Sequence, residues 1–364
     1  MSFSRAQPSR DSAAPAPPSF FDHRIVARPV SPQPVCTLAI DAEEDFDWNA
    51  PIQGIQHSTG HLRNVRALQD ILGAYGIVPT YLVTYPVLED ADVVRIIRRQ
   101  LERGQCALGI QLHPWVTPPF EDVRGHSRSY SGNLDPDLEE RKLVALKTRF
   151  REAFGFDPEV YRAGRYGLSE RTSLMLEQHG FTIDTSIAPR TNFTAEEGPD
   201  YSDYDCELFW FGHGRNLLEI PLCRSIVGWA GPLAPTLYHG FTDRRLAELH
   251  AVSLLTRSRC AERITLSPEG NDVGAMQRLV RGLRARGQTI FPLSFHSSSL
   301  QVGRNPYVRS KAELHAFYER LSAILDYLVR TMDCRFASIL EIPGYVTPPP
   351  SAAARAQAAG SLGA

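Results

Sequence analysis

The sequence predicts an α/β chain built as a β/α barrel. Short apolar runs alternate with amphipathic helical stretches from Val35 to Glu341. Repeated βα units of this kind imply a mainly parallel sheet with helices outside. The runs number about seven or eight, which favours a barrel over an open sheet. Polar, ionisable residues recur just past the runs, at the end of the strands where such a barrel gathers its site.

The first strand is expected over 36–41, within the apolar run 35–40. It ends in five carboxylates within seven residues, Asp41, Glu43, Glu44, Asp45 and Asp47. Crowded carboxylates repel one another and resist burial. A nearby cation, or a catalytic demand for unequal pKa values, would explain them; so would a solvated acidic loop. Asp41 and Glu43 stand at i and i+2, so a continuing strand points both to one side. That placement suits one general base and one metal ligand.

A helix follows over 62–75, with Leu62, Val65, Leu68, Ile71 and Leu72 at helical spacing and Gly76 after it. A strand at 79–83, a helix at 91–103 and a strand at 106–113 continue the pattern, the last closed by Pro114. The Pro/Gly/Ser-rich stretch 116–136 is long for a loop inside a compact domain, and loops of this length often cover a site. A charged helix is expected over 137–154, a strand at 160–163, a helix from Ser169 and a strand at 182–186. Residues 190–240 break the rhythm and carry an inserted hairpin, 209–211 and 217–222, turned at 212–216. The alternation resumes with helix 243–255, strand 263–266, helix 275–286, strand 290–296, helix 311–331 and a last strand at 336–341. Ser310 and Glu313 are spaced as a capping box.

The 364 residues carry a net charge of -2, with 43% hydrophobic and 22% charged residues. The balance gives no support for binding nucleic acid or an anionic membrane surface. No apolar run is long enough to span a bilayer. Residues 1–34 are rich in Ser, Ala and Pro, lack the apolar core of an export signal, and read as a disordered tail, as do residues 347–364. The folded unit is expected over 35–346. Six cysteines are scattered singly, without a C-x-x-C pair. This pattern fits reduced thiols in a cytoplasmic protein.

The predicted strand ends collect Asp41 and Glu43; Gln111, His113 and Trp115; Arg162, Arg165 and Tyr166; Asp184 to Ser186; and His296. A carboxylate and an imidazole are ordinary ligands for a borderline divalent ion, zinc above all. Such an ion lowers the pKa of bound water and polarises a carbonyl. A second carboxylate can take the water's proton, a separate His can protonate the leaving group, and an Arg beside the base would hold it ionised. The residue types point to metal-assisted hydrolysis.

In this order the motifs resemble the polysaccharide deacetylase family of the NodB type, carbohydrate esterase family 4, over about residues 35–342. The resemblance implies a distorted β/α barrel of about seven strands. It also implies removal of acyl groups from N-acetylated sugars, usually with a divalent metal. It assigns Asp41 as base, Glu43 as acidic metal ligand, Arg162 as the Arg of the third motif and His296 as general acid. Tyr166 and Gly167 complete the third motif loosely, and Asp184-Thr185-Ser186 resembles the fourth. The second motif departs. Where the family shows H-[ST]-x-x-H, this chain has Gln111 and Trp115, with His113 between them. His113 is then the second metal ligand, and the third is open.

His57-Ser58-Thr59-Gly60-His61 matches H-[ST]-x-x-H literally but lies before the first long helix. It reads as a polar helix start with Ser58 or Thr59 as N-cap, or as metal-related. His126 is a further candidate third ligand or an exposed loop residue. Trp115, Tyr130, Trp210 and Trp229 could stack on sugar faces or pack a core. Arg165 could contact substrate or pair with an acid. Glu269 and Glu341 are strand-end candidates whose alternative is an exposed turn.

The reading is therefore a metal-dependent hydrolase of non-peptide C–N amide bonds, acting on an N-acetylated sugar or glycan precursor. Asp41, His296 and Arg162 are the catalytic group, and Tyr166, Trp115 and Arg165 face the substrate. Glu43 and His113 hold the metal. The alternatives are a catalytically impaired barrel that binds a glycan or a partner, and a hydrolase of a non-sugar amide.

Overall fold

The structure is a computed structural model and describes residues 24–45, 57–120, 125, 127–234, 238 and 258–349. Its centre is β2, Val35–Ala42, in which all eight residues are buried. A strand covered on both faces is nearly all apolar, which is why 35–40 reads as an apolar run with Thr37 its one polar residue. Around it lie β3, Thr80–Val83; β4, Ala107–Leu112; β5, Val160–Ala163; and β6, Ile183–Asp184. On the other edge of β2 is β11, Ile290–His296, and the short β12, Arg335–Phe336, pairs with Val35 and Cys36 at the start of β2 on its β3 edge. All these neighbours pair in parallel.

The far edge is antiparallel. The hairpin β7, Phe209–Phe211, and β8, Leu217–Glu219, joins β6 through β8, and β1, Ile25–Val26, adds to β7. The hydrogen-bonded path runs β1-β7-β8-β6-β5-β4-β3-β2-β11. Its two sides are bridged by a separate pair, β9, Arg224–Val227, and β10, Glu262–Thr265. Ser294 N–H donates to Leu266 O at 3.2 Å on the β11 side, and Leu222 N–H donates to Ile187 O at 3.0 Å on the β6 side. Isolated bonds thus span the gap that a regular ladder would close, giving a distorted β/α barrel.

The helices are amphipathic and capped as their sequences require. In α3, Ala91–Glu102, Val93, Val94 and Ile97 are buried, and Asp90 accepts from the N–H groups of Asp92 and Val93. Asp135 caps α4, Pro136–Phe154, which ends at Gly155 in the left-handed region, φ 86°. Ser169 and Thr172 make a reciprocal capping box on α5, Glu170–Gln178. Asp272 caps α6, Val273–Ala285, and Ser310 caps α7, Lys311–Asp326.

The structure differs from the sequence expectations in four places. The helix expected over 62–75 begins as a 3-10 turn, Gly60–Asn64, and becomes α-helical at Val65–Ala74. Neither Ser58 nor Thr59 caps it from the N-cap position: the Thr59 hydroxyl donates to Asp90 at 2.7 Å instead. The strand expected at 336–341 stops at Phe336 and turns into the 3-10 segment Ile339–Tyr345. There Glu341 closes a capping box with Ser338, accepting from its N–H at 2.7 Å, so Glu341 is a turn residue and not a site residue. Finally, residues read as the N-terminal tail contribute β1, because Ile25 and Val26 cover the exposed edge of β7. The expected helix 243–255 lies outside the described residues.

Candidate functional site

Register brings the strand-end residues together. In the parallel pair of β2 and β11, His296 stands opposite Asp41, and in β4 and β5 Gln111 stands opposite Arg162. Asp41 is 2% exposed and Arg162 3%. The Arg162 guanidinium donates to Asp41 Oδ1 through Nη1, and through Nε to Thr185 Oγ1 at 3.0 Å and Thr185 O at 3.2 Å. This charge-assisted contact pairs two side chains that are both nearly fully buried. Asp184 and Ser186 lie one layer further back. The Ser186 hydroxyl donates to Asp184 at 2.6 Å, and Asp184 is the register partner of Glu219. The segment resembling the fourth motif therefore supports Arg162 through Thr185 and does not reach His296.

Glu269 fills that place. His296 Nδ1 lies 2.7 Å from Glu269 Oε2, and the His296 N–H donates to Oε1 at 3.0 Å. Ser299 Oγ also donates to Glu269. Burial pushes the His296 imidazole down, but Glu269, then Glu43 and Asp41, outweigh it and raise its pKa to about 10. His296 Nε2 is 3.8 Å from Asp41 Oδ2, and its side chain keeps 21% exposure, enough to meet a substrate. Glu269 is a candidate in the sequence with an exposed turn as its alternative, because Ser267 and Pro268 separate it from the strand; it is buried and contacts His296.

Beside Asp41 are Glu43, Glu44 and His113, each 3% exposed or less. His113 Nδ1 contacts Glu44 Oε1 at 2.7 Å, and Nε2 lies 3.4 Å from Glu43 Oε2. Burial lowers the His113 pKa, and the charge of Glu44 more than reverses the shift. Burial raises the Glu43 carboxyl to about 7, against the opposing pull of His296 and His113. The ring of Trp115 stacks on His113, centroids 4.3 Å apart at 25°. Gly164 leaves room for that ring: a Cβ there would meet His113 Cδ2 at 2.7 Å and Leu112 O at 2.5 Å.

Among the described residues no group of three His, Cys, Asp or Glu side chains is arranged to hold a metal ion. A divalent ion nonetheless fits the atoms between Glu43 and His113. A ring N–H given to Glu44 leaves the Nε2 lone pair facing Glu43, the carboxylate–histidine arrangement of metal sites. The 3.4 Å gap is longer than a good hydrogen bond and matches the edge of a tetrahedron with ligands at about 2.0–2.1 Å. Gln111 supplies a third atom: its side-chain amide reaches Glu43 only at 3.5 Å, and its buried Oε1 has no hydrogen-bond partner. Rotation of the amide by half a turn brings that oxygen to the same position.

Arg165 and Tyr166 both take left-handed backbone conformations, φ 52° and 62°, an unusual pair of non-glycine residues directly after β5. The Arg165 guanidinium lies over the Tyr130 ring at 4.4 Å and pairs with Glu196 and Ser129. Tyr166 stacks on Phe193 with centroids 6.1 Å apart, and burial raises its phenol to about 12. His61 lies against the backbone of Glu43, and its Nε2 meets Ser297 Oγ at 2.9 Å, the same hydroxyl oxygen that accepts from the Glu43 N–H at 3.3 Å. Trp210 donates to Thr347 O, and Trp229 is 74% exposed and donates to Ser258 O, so neither joins this cluster. His126 and Asp47 lie outside the described residues.

Lys142 on α4 was not singled out by the sequence. Its ammonium is buried and donates to Pro114 O at 2.9 Å, Thr117 O at 2.6 Å and Pro119 O at 2.7 Å. It pins the loop that carries Trp115. Its signal was positional: Leu138, Lys142, Leu146 and Phe150 recur every four residues on one buried stripe.

The sequence matches no family model and no curated protein. Among solved structures it is similar to a provisionally assigned polysaccharide deacetylase from Mycobacterium smegmatis, at 19% identity over 90% of this chain and 98% of that one, TM-score 0.47. It is similar to the Xyl-CE4 domain of a multidomain xylanase from the hindgut metagenome of Trinervitermes trinervoides, at 11% identity over 88% and 95%, TM-score 0.40. It is also similar to Puue allantoinase, at 12% identity over 93% and 97%, TM-score 0.46. The structures this chain is similar to thus include polysaccharide deacetylases of carbohydrate esterase family 4.

Proposed function

We propose that this chain is a hydrolase of non-peptide C–N amide bonds that removes the acetyl group from an N-acetylated sugar or glycan precursor with the help of a divalent ion, zinc first. The observation that carries this reading is the facing of Asp41 and His296 across β2 and β11, each braced by its own oppositely charged partner.

In this reading Asp41 takes the proton of the attacking water, and Arg162 pairs with it and aims it. Water oxygen bonds to the acyl carbon, the C–N bond breaks, and His296 gives its Nε2 proton to the departing nitrogen. Products are acetate and the free amine. Glu269 accepts from Nδ1, which fixes the tautomer, and a pKa near 10 keeps the proton in place at neutral pH. Glu43, His113 and the Gln111 amide oxygen would hold the ion. When bound, it lowers the pKa of water and polarises the acyl carbonyl. Glu44 orients His113 from behind. A backbone N–H of the turn at Arg165 and Tyr166 would serve as the oxyanion donor. Trp115 packs the wall beside His113. Arg165, held by Glu196 and Tyr130, shapes the rim.

Acetate release from N-acetylglucosamine oligomers, with and without added zinc, tests the proposal. Release should need the ion and should fall at least about a hundredfold in Asp41→Asn and in His296→Ala. Equal rates in those variants and the parent would overturn it.

A further inference from the structure

Among the described residues, Arg224 near this centre has no carboxylate within ion-pair distance. Arg224 opens β9, opposite Thr265 in the antiparallel pair. Its Nε donates to Thr265 Oγ1 and its Nη1 to Thr191 Oγ1, both at 2.7 Å. The guanidinium is half-buried. Among the described residues its side-chain partners are these two hydroxyls, and no carboxylate lies within ion-pair distance. Its neighbours in the same region are differently supplied: Arg190 and Arg286 share Asp205, and Arg278 has Glu262. Arg263 adds positive charge beside it and donates to Arg190 O at 3.0 Å. Burying a guanidinium among hydroxyls and a second cation is costly unless an anion arrives to pair with it.

The position of Arg224 ties it to the catalytic group. Thr265 lies four residues before Glu269, whose successor Gly270 sits against the Tyr307 ring; a Cβ on Gly270 would be 3.4 Å from Tyr307 Cε1. On the other flank, Thr191 lies two residues before Phe193, which stacks on Tyr166. The Tyr166 phenol feels the charges of Asp41, Arg162 and Arg224, and the Tyr307 phenol those of Glu269 and Arg224. Arg224 is therefore on the wall that runs from Tyr166 to Tyr307, between the partners of Asp41 and those of His296.

We infer that the substrate carries an anionic group, a phosphate or a carboxylate near the acylated amine, and that Arg224 binds it. This rests on the proposed hydrolytic reading of the same site. Two of the guanidinium's donor atoms are spent on threonines, and Nη2 stays open to an oxyanion. A neutral sugar would leave the charge unanswered. A phosphorylated sugar or a sugar acid would answer it and be selected over the neutral analogue.

The test compares N-acetylglucosamine, its 1-phosphate and N-acetylmuramic acid. Binding is measured by calorimetry on the full chain carrying Asp41→Asn, and acetate release on the unmodified chain. One of the two anionic compounds should bind at least about tenfold more tightly than the neutral sugar. Arg224→Gln should abolish that preference while leaving neutral-sugar binding and the thermal midpoint unchanged, and Arg224→Lys should keep part of it. Which anion wins separates phosphate from carboxylate. Equal binding of all three compounds, or equal loss for neutral and anionic compounds in Arg224→Gln, overturns the inference. Preferential anion binding without acetate release from any compound would keep Arg224's role and remove the hydrolytic reading instead.

Discussion

His296 is the register partner of Asp41, and their side chains approach to 3.8 Å across the β2–β11 pair. Each has a second, oppositely charged partner. Arg162 braces Asp41, and Glu269 braces His296. The distance between them is thus set by backbone pairing, and each is held by its own second partner.

Glu269→Gln should move the alkaline limb of the pH–rate profile. The folded pKa of His296 is raised to about 10, so His296 stays protonated below that value and loses its proton as pH rises through it. Without the Glu269 charge the limb should fall toward the ordinary histidine value of about 6.5. An NMR titration of the His296 ring reads the same shift directly. An unmoved limb would separate Glu269 from His296.

Arg162→Ala should destabilise the fold and stop the reaction together. It strips a buried carboxylate of its counter-charge, a loss of about 3–5 kcal/mol in comparable buried pairs. Arg162→Ala, Asp41→Asn combined should recover part of that loss, because no charge is then left stranded. Urea unfolding of the two variants checks both statements.

Gln111→His should tighten zinc binding, and Gln111→Leu should weaken it. Imidazole is the better ligand for zinc than a neutral amide. Glu44→Gln, which disturbs His113 from behind, should cost about 10–100-fold in affinity. Zinc titration against a fluorescent chelator measures all three. Identical affinities would exclude Gln111 and Glu44 from the ion's surroundings.

Lys142→Met should cost on the order of 3 kcal/mol, since three carbonyls lose a charged donor. Thermal denaturation reads the loss. A protease cut between Trp115 and Phe120 in the variant, and not in the parent, would show that the loop is what Lys142 holds.

Glu139 gives the fold a pH dependence apart from the site. It is fully buried on α4, and burial raises its pKa to about 7, against the hydrogen bond from Thr172 and the charge of Arg171. The folded state then binds more protons than the unfolded state between about 4.5 and 7, so stability falls as pH rises through that window. The full span is on the order of 3 kcal/mol. Glu139→Gln should flatten it, by urea midpoints at pH 5 and pH 8.

Much of this was legible in the sequence for a physical reason. Strands buried on both faces are largely apolar, so Asp41, His113, Arg162 and His296 stand out as the first carboxylate, imidazole or guanidinium groups toward their ends. The partners behind them do not stand out. Glu269 follows Ser267 and Pro268 on a turn, and Glu44 is one of five neighbouring acids; only the fold says which histidine each one meets. Arg224 begins a strand in a small separate sheet, and its meaning depends on a carboxylate that is not beside it. The error at 336–341 was avoidable, since Ser338 and Glu341 have the spacing of a capping box that stops a strand. Ile25 and Val26 were hidden by the composition around them.

The sheet's outer edge is closed by β1, and the residues just after it meet the far end of the described chain. Arg28 N–H donates to Thr347 Oγ1 at 3.0 Å, Thr347 N–H to Arg28 O at 2.7 Å, and Val30 N–H to Tyr345 O at 3.0 Å. These bonds act as a clasp across a span of 319 residues. A pulling force applied at the two flanks would load the clasp before it reached the strands that carry Asp41 and His296, so its rupture would be a separate, earlier mechanical event than the loss of the site.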